Sequence, residues 1–266
     1  GIRSPRRKAC ARRAKLPLVF PGAVGLVGAG GRGLPLQLEG ELRPGATTRV
    51  LRLVEDAHSF RFVGLAHAPV PSLLRGFSAP VILELDEDDA RLAFRMAHDA
   101  DPFNRWDAAQ RYAERVALAL AAEPATGVPD DFVAAFRTLL NDATLDPAFR
   151  AQALALPGEA YLLERMSPAK PGALRAALIG LMRALGRSLA ADWLRVVDAM
   201  QVAGEYRYHP GDAGRRALAN LALRYLATAR AMARLRRVGT RVDDVWVVDS
   251  PRTFCFVAGL RHPQIS

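Results

Sequence analysis

The sequence predicts an α+β fold, a partial antiparallel β-sandwich followed by an α-helical bundle or solenoid-like domain. Three observations carry this. Short runs of alternating apolar and polar residues fill Pro17 to about Leu85. After Asp86 the apolar period lengthens to that of a helix. Between them lies PVPSLLRGFSAPVILEL, Pro69 to Leu85, whose prolines and glycine restrict the backbone where one pattern gives way to the other. That stretch reads as a domain junction.

The runs PLVF, VGLV, LPLQLEGEL, TTRVLRLVE, HSFRFVGL and VILEL are expected to be strands. Leu34, Leu36 and Leu38 alternate with polar or small residues, and Leu51 and Leu53 alternate with Val50, Arg52 and Val54. The separators GAGGRG, RPGA and EDAH have turn chemistry. Several short strands at this spacing point to a small sandwich.

Helices follow in order. DEDDARLAFRMAHDA begins with acids, which suit the unpaired N–H groups of a helix start, and brings Leu92, Phe94 and Met96 to an apolar side. RWDAAQRYAERVALALAA spaces Trp106, Ala109, Val116 and Leu120 at helical steps. DDFVAAFRTLLNDA, DPAFRAQALALP, EAYLLERM, PGALRAALIGLMRALGRSLAADWLRVVDAM and DAGRRALANLALRYLATARAM complete the series. Short links between alanine-rich helices imply antiparallel neighbours stacked together.

The domain organisation read from this is a basic head at 1–16, an incomplete sandwich at 17–85, an incomplete helical domain at 86–229 and a basic tail at 230–266. The net charge of +10 is concentrated at the ends. Residues 1–15 hold seven Lys/Arg and no acid, and residues 230–266 hold seven Arg against three Asp, so the body is close to neutral. Both cysteines, Cys10 and Cys255, lie in these ends, too few for a disulfide framework. A reducing, cytoplasmic setting is the expectation. No apolar run approaches the ~18 residues of a membrane span. The chain opens on Gly1 and its first methionine is Met96, so it is expected to be processed or part of something longer.

Several motifs point to chemistry without supporting it. Gly28, Gly30 and Gly33 spell G-x-G-x-x-G, with Glu55 at a suggestive distance. A dinucleotide cradle needs a helix after the third glycine, whereas Pro35 and an alternating run follow, so a hairpin turn is expected. His58, His67, His98, His209 and His262 include no H-E-x-x-H and no zinc-helix spacing. No G-x-S-x-G occurs. Asp86 to Asp89 and Asp130-Asp131 could attract a cation, but their positions match helix starts. RALANLALRYLATARAMARLRRVGTR is Arg-rich with Tyr225 as its one aromatic and no interleaved series, which favours a solvated helix face and basic tail over a nucleic-acid surface. No catalytic, cofactor-binding or metal residue is nominated.

Two motifs then carry a resemblance. PVPSLLRGFSAPVILEL and DADPFNRWDAAQRYAERVAL, in this order and at this distance, resemble bacterial aminopeptidase N, a gluzincin zinc metallopeptidase. LNDATLDPAFRAQALALPGEAYLLERMSPAKPGALRAAL and GEYRYHPGDAGRRALANLALRYL continue it to about Leu226, and the upstream strands resemble that family's small Ig-like sandwich. The resemblance implies a β-rich N-terminal domain, a thermolysin-like catalytic domain, the sandwich and a C-terminal helical domain, acting together on peptide N-termini through a zinc-bound water. The family's H-E-x-x-H and G-A-M-E-N are absent from these 266 residues. The chain is therefore expected to supply scaffold and active-site-capping parts, as a truncated and inactive aminopeptidase fragment, with the missing catalytic domain as partner. Its Arg-rich ends are expected to be foreign reading frames or assembly boundaries.

Within this frame Trp106 and Phe77 are the expected packing anchors between sandwich and helices, and Arg75 is expected to pair with an acid or a carbonyl there. Two alternatives remain: a standalone helical protein-interaction module and a basic nucleic-acid-binding protein.

Overall fold

The computed structural model describes residues 2–3, 19–54, 58–203, 209–230, 245–250 and 253–258, with side chains described over 19–54, 58–203 and 209–229. Glu55, Cys10 and His262 lie outside these residues, as does the side chain of Cys255.

The sheet half is built on one central strand. After the short β1 (Ile2–Arg3) come β2 (Phe20–Val27), β3 (Thr48–Leu53), β4 (Val70–Leu73) and β5 (Ile82–Leu83). Phe20, the last residue of PLVF, and VGLV, read as separate runs, lie together in β2. The order β3-β2-β4 is antiparallel throughout, with Gly22 opposite Leu51 and Val24 opposite Leu73. Among the described residues β1 pairs with β5. Because β2 is buried from Gly22 to Val27 on both faces, small Gly and Ala alternate with Val and Leu there.

Two expected strands are corrected. LPLQLEGEL and HSFRFVGL form loops joined by a single bridge, Leu38 to Phe62. Pro35 has no N–H to offer, the N–H of Leu38 donates to the Glu41 carboxylate at 2.9 Å, and Leu36 closes a local turn with Gly45 at 2.7 Å. Backbone groups bonded this way are not free to extend a ladder. The alternating leucines are still informative, since Leu36 is buried in the sheet's small core.

Among the described residues eight α-helices follow: α1 (Asp89–His98), α2 (Pro102–Ala122), α3 (Asp130–Asn141), α4 (Pro147–Ala153), α5 (Glu159–Glu164), α6 (Pro171–Ser188), α7 (Ala190–Ala199) and α8 (Pro210–Arg230). Their starts are set by the residues the sequence singles out. Asp88, Asp101 and Asp146 each accept a first-turn N–H, and Pro102 and Pro147 sit where no donor is needed. A row of rings ties four helices together. Tyr112 meets Phe132 edge-on at 4.9 Å, Phe132 leads to Phe136, and Phe136 touches both Trp193 and Tyr225. α6 and α8 cross closely because Gly186 has no side chain. A Cβ there would stand 2.3 Å from the Tyr225 carbonyl oxygen. Beyond α8, β6 (Val245–Ser250) and β7 (Thr253–Ala258) form a separate hairpin.

Candidate functional site at the sheet–helix corner

The densest polar chemistry among the described residues lies where β4 and its following turn meet the ends of α1 and α2. Arg95, on the buried side of α1 three residues after Leu92, is wholly buried. Its guanidinium donates to Glu87 at 2.7 Å and to the Asn104 carbonyl at 3.4 Å, and it lies 3.7 Å from Asp99 and 3.8 Å from Asp107. An arginine suits this position because its planar fork reaches several acceptors at once.

Asp99 caps the end of α1 and gathers contacts from both halves. Its Oδ1 accepts from the Ser72 hydroxyl of β4 at 3.1 Å and from the Asp101 amide at 2.9 Å. Asn104 in turn donates to Ser72 at 2.8 Å, and all three side chains are buried. Asp101 works in two directions, capping α2 through Asn104 and accepting the Gly76 amide at 2.9 Å. Arg111 adds a bond from α2 to the Leu83 carbonyl at 3.2 Å. Glu87 Oε1, Arg95 Nε and Asp99 Oδ2 are buried without a hydrogen-bond partner, so the corner is held as much by charge as by bonds.

Arg75 has both kinds of partner expected of it. It donates to the Thr47 carbonyl at 3.2 Å and the Thr48 hydroxyl at 2.9 Å, and it lies 4.0 Å from Asp99. Gly25 on β2 makes room, since a Cβ there would fall 2.3 Å from the guanidinium. The two aromatic anchors divide. Phe77 is half exposed, its ring 5.0 Å from that of Phe103, which lies 5.8 Å from Trp106. Trp106 is partly buried against the helical core, so the row runs from the exposed turn inward, with polar groups beneath it. Leu74, Gly76 and Phe77 all have left-handed φ, near 54°, 62° and 53°. For the two non-glycine residues that conformation costs about 1–2 kcal/mol each.

The other nominated residues are scattered. Gly28, Gly31 and Leu34 close a turn back onto Leu26, with no helix after Gly33. His58 accepts the Val54 amide at 2.9 Å, His67 and His209 face solvent, and His98 packs on Phe94 at the turn's edge. Asp131 accepts the Tyr112 hydroxyl at 2.6 Å and the amide of Phe132. Among the described residues no three of His, Cys, Asp or Glu converge as metal ligands, so the donor set here does not fit a zinc ion. Nor is any described helix long and apolar enough to cross a membrane. An open groove of about 870 Å³ runs between α3 and α6, floored by Ala173, Ala177, Gly180 and Ala184. The corner's chemistry is one of holding position.

The pattern described as "Domain of unknown function (DUF3458_C) ARM repeats" matches residues 89–244. This chain belongs to that family. The companion pattern "Domain of unknown function (DUF3458) Ig-like fold" matches residues 6–86, so the seam between the two falls on Glu87, the partner of Arg95. The DUF3458 pair is also the region shared with curated relatives. Aminopeptidase N of Escherichia coli is 35% identical over 218 residues, 80% of this chain and 24% of that protein. Aminopeptidase N of Caulobacter vibrioides is 35% identical over 74% of this chain, and that of Haemophilus influenzae is 30% identical over 80%. The chain spans about a quarter of the length of these relatives. In fold, it is similar to the crystal structure of Legionella pneumophila aminopeptidase A in complex with aspartic acid. That similarity has a TM-score of 0.67 and 22% identity, and covers 81% of this chain and 25% of that one.

Sequence reasoning missed Ser72, Glu87, Arg95, Asp99 and Asn104 as a buried cluster. The available signal was an arginine three residues after a core leucine and four before an aspartate, both on the apolar side of α1.

Proposed function

We propose that this chain serves as the non-catalytic scaffold and capping part of a zinc-dependent aminopeptidase that releases single residues from peptide N-termini. One observation carries the reading: 35% identity over four-fifths of the chain to a protein named aminopeptidase N, of which the chain spans a quarter. The rest of such an enzyme would be the partner. Zinc would belong to that remainder, where it supplies a water whose pKa falls from about 16 to about 7. Phe77, half exposed on a left-handed turn, with Phe103 beside it on α2, is the face this reading gives to the partner, because a strained exposed aromatic marks a contact surface.

The test is a chimera in which residues 19–230 replace the matching quarter of the Escherichia coli enzyme, assayed on an aminoacyl anilide. Turnover retained in the chimera, together with none from the 266-residue chain supplied with zinc, is the expected result. A folded but inactive chimera would overturn the scaffold assignment, and zinc-dependent turnover by the lone chain would overturn the non-catalytic one.

A further inference from the structure

The apolar cores of the two halves do not merge. The helical core runs from Leu92 to Leu226 and includes no residue of the sheet. Among the described residues the sheet half buries the apolar side chains of Ala23, Val24, Leu26, Val27, Leu36, Leu51, Leu74 and Ala79. A sheet with three strands and so little apolar burial is marginal by itself. A buried polar knot joins it to the helices, with bonds that cross the seam from β4 (Ser72 to Asp99 and Asn104) and from the linker (Glu87 to Arg95), and an exposed bond from the turn (Gly76 to Asp101) and the Phe77–Phe103 ring contact lie at its edge.

We infer that Asp99 is a latch that makes the sheet and the helices one cooperative unit, although they match two separate family patterns. The geometry fits that role. One carboxylate oxygen takes a hydroxyl from β4 and an amide from the α1–α2 link, while the guanidiniums of Arg95 and Arg75 approach from opposite halves. Buried and low in local dielectric, these contacts are strong when complete and costly when one member is lost. The sheet therefore borrows its stability from the helices through a side chain that caps the end of α1. Asp99 is a positioning residue, and the inference does not depend on the aminopeptidase reading.

Native-state hydrogen exchange on the whole 266-residue chain tests this by following amides of β2 (Val24, Leu26) and of α2 (Ala113, Ala117) against denaturant. In the wild type both sets should merge into one unfolding event. In Ser72→Ala and Asp99→Asn, protection in β2 should drop by about tenfold or more while α2 keeps its own, because the sheet now opens separately. Ser72→Ala removes only one hydroxyl and leaves the charges in place, so it reads the coupling even if the Asp99 variant does not fold. Two separate events already in the wild type would overturn the latch. So would a variant in which both sets fall together, which is ordinary destabilisation, or one in which neither changes.

Discussion

Trp193 and Tyr225 lie face to face, their ring centroids 4.5 Å apart and their planes 9° from parallel, where α7 packs on α8. Both are fully buried, and each uses its polar tip on a backbone carbonyl. Tyr225 donates to Leu154 at 2.8 Å and Trp193 to Leu185 at 3.3 Å. Burial pushes the Tyr225 hydroxyl well above the ordinary tyrosine range, so it stays a donor under all working conditions. Tyr225→Phe keeps the stack but orphans a buried carbonyl and should cost about 1–3 kcal/mol. Trp193→Ala should cost about 3–5 kcal/mol. Urea unfolding followed by circular dichroism checks both, with the order of the two variants as the decisive outcome.

Glycine positions on α6 separate two physical effects. Gly186→Ala would drive a Cβ against the backbone of α8 and should destabilise by about 1–3 kcal/mol. Gly180→Ala meets nothing within 4 Å and faces the groove, so it should stabilise the helix by about 0.5–1 kcal/mol. Thermal melts of the two variants should shift in opposite directions.

Arg105 closes the open end of α1 by donating to the carbonyls of Met96 at 3.0 Å and Ala97 at 2.6 Å, while its other arm holds Asp142 at 2.8 Å. Burial alone would raise the Asp142 pKa, but hydrogen bonds from Thr144 and Arg105 outweigh it and hold the carboxyl below its usual range. Arg105→Ala takes the arginine donor from two carbonyls and leaves Asp142 with Thr144 alone, and should cost about 3–5 kcal/mol. Arg105→Lys should recover only part of this, because an ammonium cannot reproduce the fork. Denaturant midpoints of the two variants provide the measurement.

His98 supplies a pH dependence whose sign can be stated. Burial first, and the nearby Arg105 second, lower its pKa below the usual 6.5. The unfolded chain therefore takes up the proton before the folded one does. Stability from this group is complete above about pH 6.5 and is lost as pH falls through the lower folded value. His98→Gln should flatten that acid limb in melts recorded downward from pH 7, and an unchanged limb would refute the assignment.

The helical half was legible because its signals are local. Asp88, Asp101, Asp146, Pro102 and Pro147 announce helix starts within a few residues of where the chain uses them. The strands were legible where a ladder partner exists, as along β2 and at β3 within TTRVLRLVE. From Leu34 to Leu38 the alternation is real, yet the backbone bonds went to Glu41 and Ala46, partners that a period-two pattern does not reveal. The polar corner was hidden for another reason. Ser72 and Asp99 are 27 residues apart, and neither residue type signals burial by itself. Only the three-dimensional crossing makes them a pair.

A corner pinned by ionic and hydroxyl contacts has an orientation that does not depend on how well either greasy interior is filled. Drift in the leucines and alanines of one half can therefore accumulate without tilting the other. The angle between the two halves is a property of a handful of hydrophilic atoms, and it can be inherited, or lost, independently of the bulk around it.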